Sequence, residues 1–147
     1  MTWYFAYGSN LWIDQMATRT GPLHVGSEQP RSARLFGYRF AFNMRAANGQ
    51  VYANIVRPGP FVLGVLYLCS PSALEILDTF EGGYRRVGIE VVGDAGETME
   101  AVAYVADAEH AIDGGRPSAE YVERILRGGR RHGLPEEYLR EIEWSAR

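Results

Sequence analysis

Short apolar runs, rich in β-branched and aromatic residues and separated by turns that contain glycine or proline, dominate the chain up to residue 106. Each run has the length and composition of a β-strand. The predicted strands cover residues 2–7, 33–44, 51–56, 61–69, 84–92 and 98–106. The last two flank Gly93-Asp94-Ala95-Gly96, which predicts a β-hairpin with a loop slightly longer than the tightest kind.

Helix signals occur at four other places, so the pattern as a whole predicts an α+β fold. The predicted helices cover residues 11–19, 71–80, 118–131 and about 135–144. Asn10 is placed as the N-cap of the first helix, and Ser70 followed by Pro71 gives the second a favourable start. Gly82-Gly83 ends the second helix and leaves Glu81 near its C-terminus.

Length and composition limit the kind of protein this can be. With 147 residues, 46% of them hydrophobic and 22% charged, the chain is predicted to form one globular domain over residues 1–147. The net charge of −3 gives no general reason to bind nucleic acid or an acidic membrane. The first residues lack the pattern of a secretory signal, and Cys69 is the sole cysteine. We therefore expect a cytoplasmic protein with a small-molecule partner.

Tyr7-Gly8-Ser9-Asn10 is the first segment that could carry chemistry. It lies between a predicted strand and a predicted helix, where backbone N–H groups without helical partners can bind an anion. Gly8 allows a ligand to approach the main chain closely. A tight turn with Asn10 as a helix cap explains the same residues without a ligand.

The second such segment places the carboxylates Asp78 and Glu81 close to the C-terminus of the second helix. An acid there faces the negative end of the helix dipole, which is unfavourable. An unfavourable local choice is typical of a functional position. Exposed acids paired with Arg85 or Arg86 explain the same pattern.

Motifs for several other chemistries are missing from the sequence. There is no Walker A lysine, no G-x-G-x-x-G, no H-E-x-x-H and no G-x-S-x-G. His24, His110 and His132 have no ligand-like spacing with Cys69, so no metal site is predicted. The basic residues 127–131 close an amphipathic helix, where cations suit the negative dipole end, and are interpreted as structural.

Three blocks of sequence, in order, carry a resemblance to a known family. They read YFAYGSNL at residues 4–11, LDTFEGGYRRV at 77–87 and PSAEYVERILRGGRRHGLPEEYL at 117–139. Together they resemble the γ-glutamylcyclotransferase family in its bacterial single-domain form. The first is similar to the family's substrate loop, the second to the segment with its catalytic glutamate, and the third to its C-terminal helical segment.

The resemblance implies a compact mixed β-barrel of about five to seven strands with helices packed around it. It implies that Glu81 is the catalytic acid and base of a cofactor-independent enzyme. The implied substrate-binding residues are Tyr7, Gly8, Ser9, Asn10, Tyr84 and Tyr121. The family also allows a homodimer.

The implied reaction is a lyase or acyltransferase-type cyclisation, in which the α-amino group of a γ-glutamyl peptide or amide attacks its own γ-carbonyl and releases 5-oxoproline. Burial of Glu81 near Phe80 is expected to raise its pKa toward neutrality, which suits a group that both takes and returns a proton. Two alternatives stay open. The substrate could be a γ-glutamylamine or a γ-glutamyl protecting group of a biosynthetic pathway, with glutathione less favoured, or the chain could be a non-catalytic γ-glutamyl-binding module.

Overall fold

The computed structural model describes residues 1–21 and 29–147, so His24 lies outside the described residues. The strands are β1 (Thr2–Ala6), β2 (Arg31–Phe36), β3 (Arg39–Arg45), β4 (Val51–Val56), β5 (Phe61–Cys69), β6 (Tyr84–Gly93) and β7 (Thr98–Ala106). The helices are α1 (Ile13–Thr20), α2 (Pro71–Phe80), α3 (Ala119–Arg131) and α4 (Glu136–Ser145). Short 3₁₀ turns occur at Ser9–Leu11 and Ala108–His110. None of the described helices is long and apolar enough to cross a membrane.

Five strands close into a barrel in the order β1-β5-β2-β6-β7, while β3 and β4 form a separate two-stranded sheet. Neighbouring barrel strands are antiparallel, except that β7 meets β1 in parallel. β5 pairs with both β1 and β2, and almost all of its residues are buried. The α+β class and the mixed barrel with packed helices are therefore confirmed.

Most of the predicted elements agree closely with the structure. Ser70 caps α2 and Ser118 caps α3, each by accepting a backbone N–H with its hydroxyl oxygen. The hairpin of β6 and β7 and the strands over residues 51–56 and 61–69 are confirmed. The strand predicted over residues 33–44 is instead two strands, because the chain turns at Gly37, whose φ of 88° suits a residue without a side chain.

The prediction that Asn10 caps the first helix is wrong. Residues 9–11 form a 3₁₀ turn, and α1 begins at Ile13 with Trp12 at the cap position. Asn10 is buried, with 3% of its surface exposed. Its side-chain oxygen accepts from the side chains of Gln15 and Arg19 instead of from backbone N–H groups, and its side-chain nitrogen donates to Tyr4, so Asn10 joins β1 to α1.

Two glycines let other elements pack directly against the chain where β1 runs into the 3₁₀ turn. A Cβ atom at Gly64 of β5 would lie 2.4 Å from the carbonyl oxygen of Ala6. One at Gly128 of α3 would lie 2.3 Å from the backbone of both Leu11 and Trp12. The turn is therefore held between a barrel strand and a helix at distances that only glycine permits.

We predict that Gly128→Ala destabilises the protein, although alanine favours helices, because the added methyl group would overlap backbone atoms. Overpacking of this kind costs about 1–3 kcal/mol, which chemical denaturation would measure. Gly88→Ala is the matched control, since nothing lies within 4 Å of a Cβ atom there. Equal stabilities for the two variants would contradict the packing of α3 on the turn.

Candidate active site

A cavity of about 270 Å³ opens where the end of β1, the first 3₁₀ turn, the end of α2 and the start of β6 come together. Every site residue predicted from the sequence lines it: Tyr7, Gly8, Ser9, Asn10, Glu81, Tyr84 and Tyr121. Residues that sequence reasoning did not single out also line it, among them Tyr4, Arg19, Asn48, Tyr52, Tyr104 and Arg124. The fold thus brings the early turn and the end of α2 to one place, although they are far apart in sequence.

Glu81 follows the last residue of α2, at the point where the chain turns into β6. Its N–H donates to the carbonyl of Asp78 and its own carbonyl accepts from the N–H of Tyr84. Gly83, with a φ of 89°, makes the reversal possible. The side chain of Glu81 is 14% exposed, so the carboxylate faces the cavity rather than bulk solvent.

Burial raises the pKa of Glu81 from 4.5 to about 7, although the nearby Arg19 lowers it and Asp78 raises it further. A guanidinium nitrogen of Arg19 lies 3.7 Å from the carboxylate. The expectation that burial brings the pKa of Glu81 toward neutrality is therefore confirmed. At neutral pH such a group is present in both protonation states, as a residue that takes and returns a proton must be.

Asp78 and Glu81 do not both pair with Arg85 or Arg86, the arginines that follow them in sequence. Asp78 does pair with Arg86, at 3.6 Å, while Arg85 pairs with Asp107. Glu81 pairs with Arg19 of α1, a helix that packs against α2. A surface ion pair with the following arginines thus explains Asp78 and does not explain Glu81.

Asn10 is the centre of the hydrogen bonds that hold the early turn. Its side-chain nitrogen donates to the Tyr4 hydroxyl at 2.9 Å, and its side-chain oxygen accepts from Gln15 at 3.0 Å and from Arg19 at 3.2 Å. Its backbone carbonyl accepts from the Tyr67 hydroxyl at 2.8 Å. These bonds fix the turn to the barrel on one side and to α1 on the other.

Two tyrosines of the cavity wall bind the same backbone residue of β4. The hydroxyl of Tyr84 donates to the carbonyl of Ala53 at 2.6 Å, and the hydroxyl of Tyr121 accepts from the Ala53 N–H at 3.0 Å. The pairing of β3 with β4 skips Ala53, which leaves both groups free for these contacts. Gly8 lies close by, since a Cβ atom there would be 3.4 Å from the Tyr121 oxygen.

Among the residues that sequence reasoning overlooked, Arg19 had a usable sequence signal. Gln15 and Arg19 are four residues apart on a predicted helix, so they share its face, and that helix follows the candidate turn directly. Tyr4 and Tyr104 had none, because the contact of β1 with β7, which closes the barrel and brings the two residues together, is not specified by the sequence. Within residues 1–21 and 29–147, no three His, Cys, Asp or Glu side chains come together as a metal site would require.

Comparison with known proteins agrees with this arrangement. Residues 61–142, from β5 to α4, match the AIG2-like family. The chain belongs to the AIG2-like family. The matched part of this AIG2-like chain includes Glu81, Tyr84 and Tyr121.

Relatives of this AIG2-like chain confirm the predicted resemblance to the γ-glutamylcyclotransferase family. Proteins named γ-glutamylcyclotransferase from Bos taurus and Homo sapiens are 27% and 28% identical to it, over 95% of this chain and 76% of each relative. The solved structure of a γ-glutamyl cyclotransferase is 26% identical and superposes with a TM-score of 0.82, over 97% of this chain and 86% of that one.

We predict that Glu81→Gln stabilises the protein at pH 8 and much less at pH 5. The folded-state pKa of Glu81, about 7, lies above its ordinary value of 4.5, so folding stability falls as the pH rises from about 4.5 to about 7. Gln avoids the burial of a charge above that range. Chemical denaturation at both pH values measures the difference.

Glu75→Gln removes an exposed carboxylate from α2 and serves as the matched control. An equal effect of Glu81→Gln at pH 5 and pH 8 would show that Glu81 is already ionised in the folded protein at pH 5.

Proposed function

We propose that this AIG2-like protein is a γ-glutamylcyclotransferase that releases 5-oxoproline and a free amino acid or amine from a γ-glutamyl substrate. The observation that carries the proposal is Glu81, a buried carboxylate with a pKa of about 7, in the same cavity as the Tyr7 to Asn10 turn. The names of the relatives support cyclotransferase activity. The γ-glutamyl substrate is what the resemblance implies, and the class of leaving group is inferred from the charges of the cavity.

The proposed reaction takes place within one substrate molecule. The α-amino nitrogen attacks the γ-carbonyl carbon, a new C–N bond closes the five-membered ring, and the carbonyl oxygen becomes an oxyanion. Collapse of this intermediate breaks the original C–N bond and expels the amine. Holding the substrate in its folded conformer lowers the barrier, an effect worth about 7–11 kcal/mol in favourable intramolecular reactions.

Glu81 would carry the proton between the two nitrogens. In its ionised form it takes a proton from the α-ammonium group, which frees the nitrogen lone pair for attack. It then returns that proton to the departing nitrogen as the original C–N bond breaks. The ring nitrogen still carries two hydrogens, and its second proton passes through Glu81 to the released amine. The products are then a lactam N–H and an ammonium group, and Glu81 is ionised again. A carboxylate with an ordinary pKa would hold the proton too weakly for this task, whereas one near 7 matches it.

The early turn would bind the α-carboxylate of the substrate. A helical turn leaves its first N–H groups without helical partners, and Gly8 presents its backbone to the cavity without a side chain. Arg19 adds positive charge next to Asn10. With the carboxylate held there, Tyr84 and Tyr121 would form the wall against the carbon chain of the glutamyl group.

The charges of the cavity favour a γ-glutamyl peptide over a γ-glutamylamine. Its lining includes two guanidinium groups, Arg19 and Arg124, against the one carboxylate of Glu81. Arg124 also pairs with Glu120, whose side chain is 78% exposed and does not line the cavity. A leaving amino acid brings a carboxylate that suits this balance, and a leaving amine does not.

The proposed cytoplasmic location and the possibility of a homodimer remain predictions from the sequence.

We predict that the wild-type protein forms 5-oxoproline from γ-glutamyl-alanine, measured by chromatography, and that Glu81→Gln abolishes this activity. Gln cannot exchange a proton, yet it has the shape to keep the substrate in place, so binding should remain. Glu75→Gln is the matched control and should retain activity. Turnover by Glu81→Gln within tenfold of the wild type would refute the role of Glu81.

A panel of substrates separates the alternatives. Faster turnover of γ-glutamylamines than of γ-glutamyl dipeptides would favour the second substrate class. Binding of glutamyl compounds without 5-oxoproline release would indicate a binding module.

We also predict that Tyr121→Phe raises KM more than it lowers kcat. Its hydroxyl accepts from Ala53 and lies beside Gly8, where it would orient the bound ligand rather than take part in bond formation. Steady-state kinetics with γ-glutamyl-alanine measure both constants. An unchanged KM would contradict this role.

A further inference from the structure

The tyrosine hydroxyls in the cavity wall differ in where their protons go. Three of them donate to an acceptor of the protein itself. Tyr7 donates to the carbonyl of Tyr104, Tyr84 to the carbonyl of Ala53, and Tyr104 to the carboxylate of Asp78. Their hydroxyl protons are therefore already engaged and cannot serve a ligand without breaking a buried hydrogen bond.

Tyr4 is the opposite case. Its hydroxyl oxygen accepts from the side-chain nitrogen of Asn10, and within residues 1–21 and 29–147 its own proton has no acceptor. A buried donor without an acceptor is costly, so such a group is expected to meet one when a ligand enters. Tyr52 and Tyr121 also accept from the protein. Tyr52 accepts from the side-chain nitrogen of Asn48 in an exposed contact, and Tyr121 accepts from Ala53 and would orient the ligand.

The direction of the bond between Asn10 and Tyr4 is fixed by two arginines. A guanidinium group can only donate, so Arg19 requires the oxygen of the Asn10 amide to face it. Arg124 in the same way requires the oxygen of Gln15, and the nitrogen of Gln15 then donates to the Asn10 oxygen. The nitrogen of Asn10 is left to donate to Tyr4, which cannot direct its proton back along that bond.

The ring of Tyr4 is also held firmly. Only 4% of its surface is exposed, and its ring stacks on Tyr67 and meets Tyr104 edge to face. Burial raises the pKa of Tyr4 well above its ordinary value, with the charge of Glu81 as a further cause. The hydroxyl therefore keeps its proton and acts as a neutral donor at a fixed position in the cavity that also contains Glu81.

We infer that the Tyr4 hydroxyl donates a hydrogen bond to the γ-carbonyl oxygen of the substrate and stabilises the oxyanion that forms on ring closure. This rests on the proposed function, in which Glu81 handles the α-amino group and the early turn holds the α-carboxylate. Glu81 and the early turn bind the α-amino group and the α-carboxylate, so the γ-carbonyl oxygen is the polar atom of the glutamyl group that still lacks a partner. Tyr4 shares its proton without giving it up, so the proton balance through Glu81 is unchanged.

The test is Tyr4→Phe, which removes one oxygen atom and keeps the ring. Loss of a preorganised oxyanion donor lowers kcat by about 10²–10³-fold, and KM should change little, because the bond strengthens as charge develops. Tyr138→Phe is the matched control, since its hydroxyl, like that of Tyr4, accepts from an N–H group, here that of Leu63, and its side chain does not line the cavity. Its kcat should stay within threefold of the wild type, with both variants folded by circular dichroism.

The pH profile separates an oxyanion donor from a proton donor. If Tyr4 only shares its proton, the midpoints of the kcat profile in Tyr4→Phe match those of the wild type. Loss of a limb of the profile would instead make Tyr4 a general acid and overturn the inference. A kcat of Tyr4→Phe within fivefold of the wild type, or an equal loss in Tyr138→Phe, would also overturn it and leave the proposed function standing. Absence of 5-oxoproline from the wild-type reaction would overturn both.

Discussion

The buried amide of Asn10 is the contact on which the rest of the site depends. Its side chain donates to a hydroxyl on β1 and accepts from an amide and a guanidinium group on α1, and its backbone carbonyl accepts from Tyr67 of β5. In a buried setting each of these groups would be costly to leave without a partner, so the network holds as a unit or not at all. Its geometry fixes the turn beside the cavity and the position of Arg19 within it.

Arg19 in turn sets the balance of charge around Glu81. Burial raises the pKa of the carboxylate, the guanidinium at 3.7 Å lowers it, and Asp78 raises it further, which together leave the pKa at about 7. Arg19 is itself only 22% exposed and covers the ring of Phe80. A single cation, anchored by Asn10, therefore connects the position of the early turn with the acidity of a group at the end of α2.

Local signals explain what the sequence could predict. The cap and proline at Ser70 and Pro71, and the hairpin after Tyr84, are specified by neighbouring residues, and the structure confirms them. Glu81 could be picked out because its place at a helix end is locally unfavourable. Asn10 could not be assigned, since asparagine suits both a helix cap and a buried network, and only barrel closure decides between them. Tyr4 joins the site through the same long-range packing.

The hydrogen bonds of Tyr84 and Tyr121 to the backbone of Ala53 bear on aggregation of the protein in concentrated solution. Strands at the edge of a small sheet carry exposed N–H and C=O groups that can recruit a strand from another molecule and begin aggregation. In the middle of β4 both groups of Ala53 are already bound to phenol oxygens. The same two side chains that line the cavity thus prevent a strand from another molecule from pairing with β4 at Ala53.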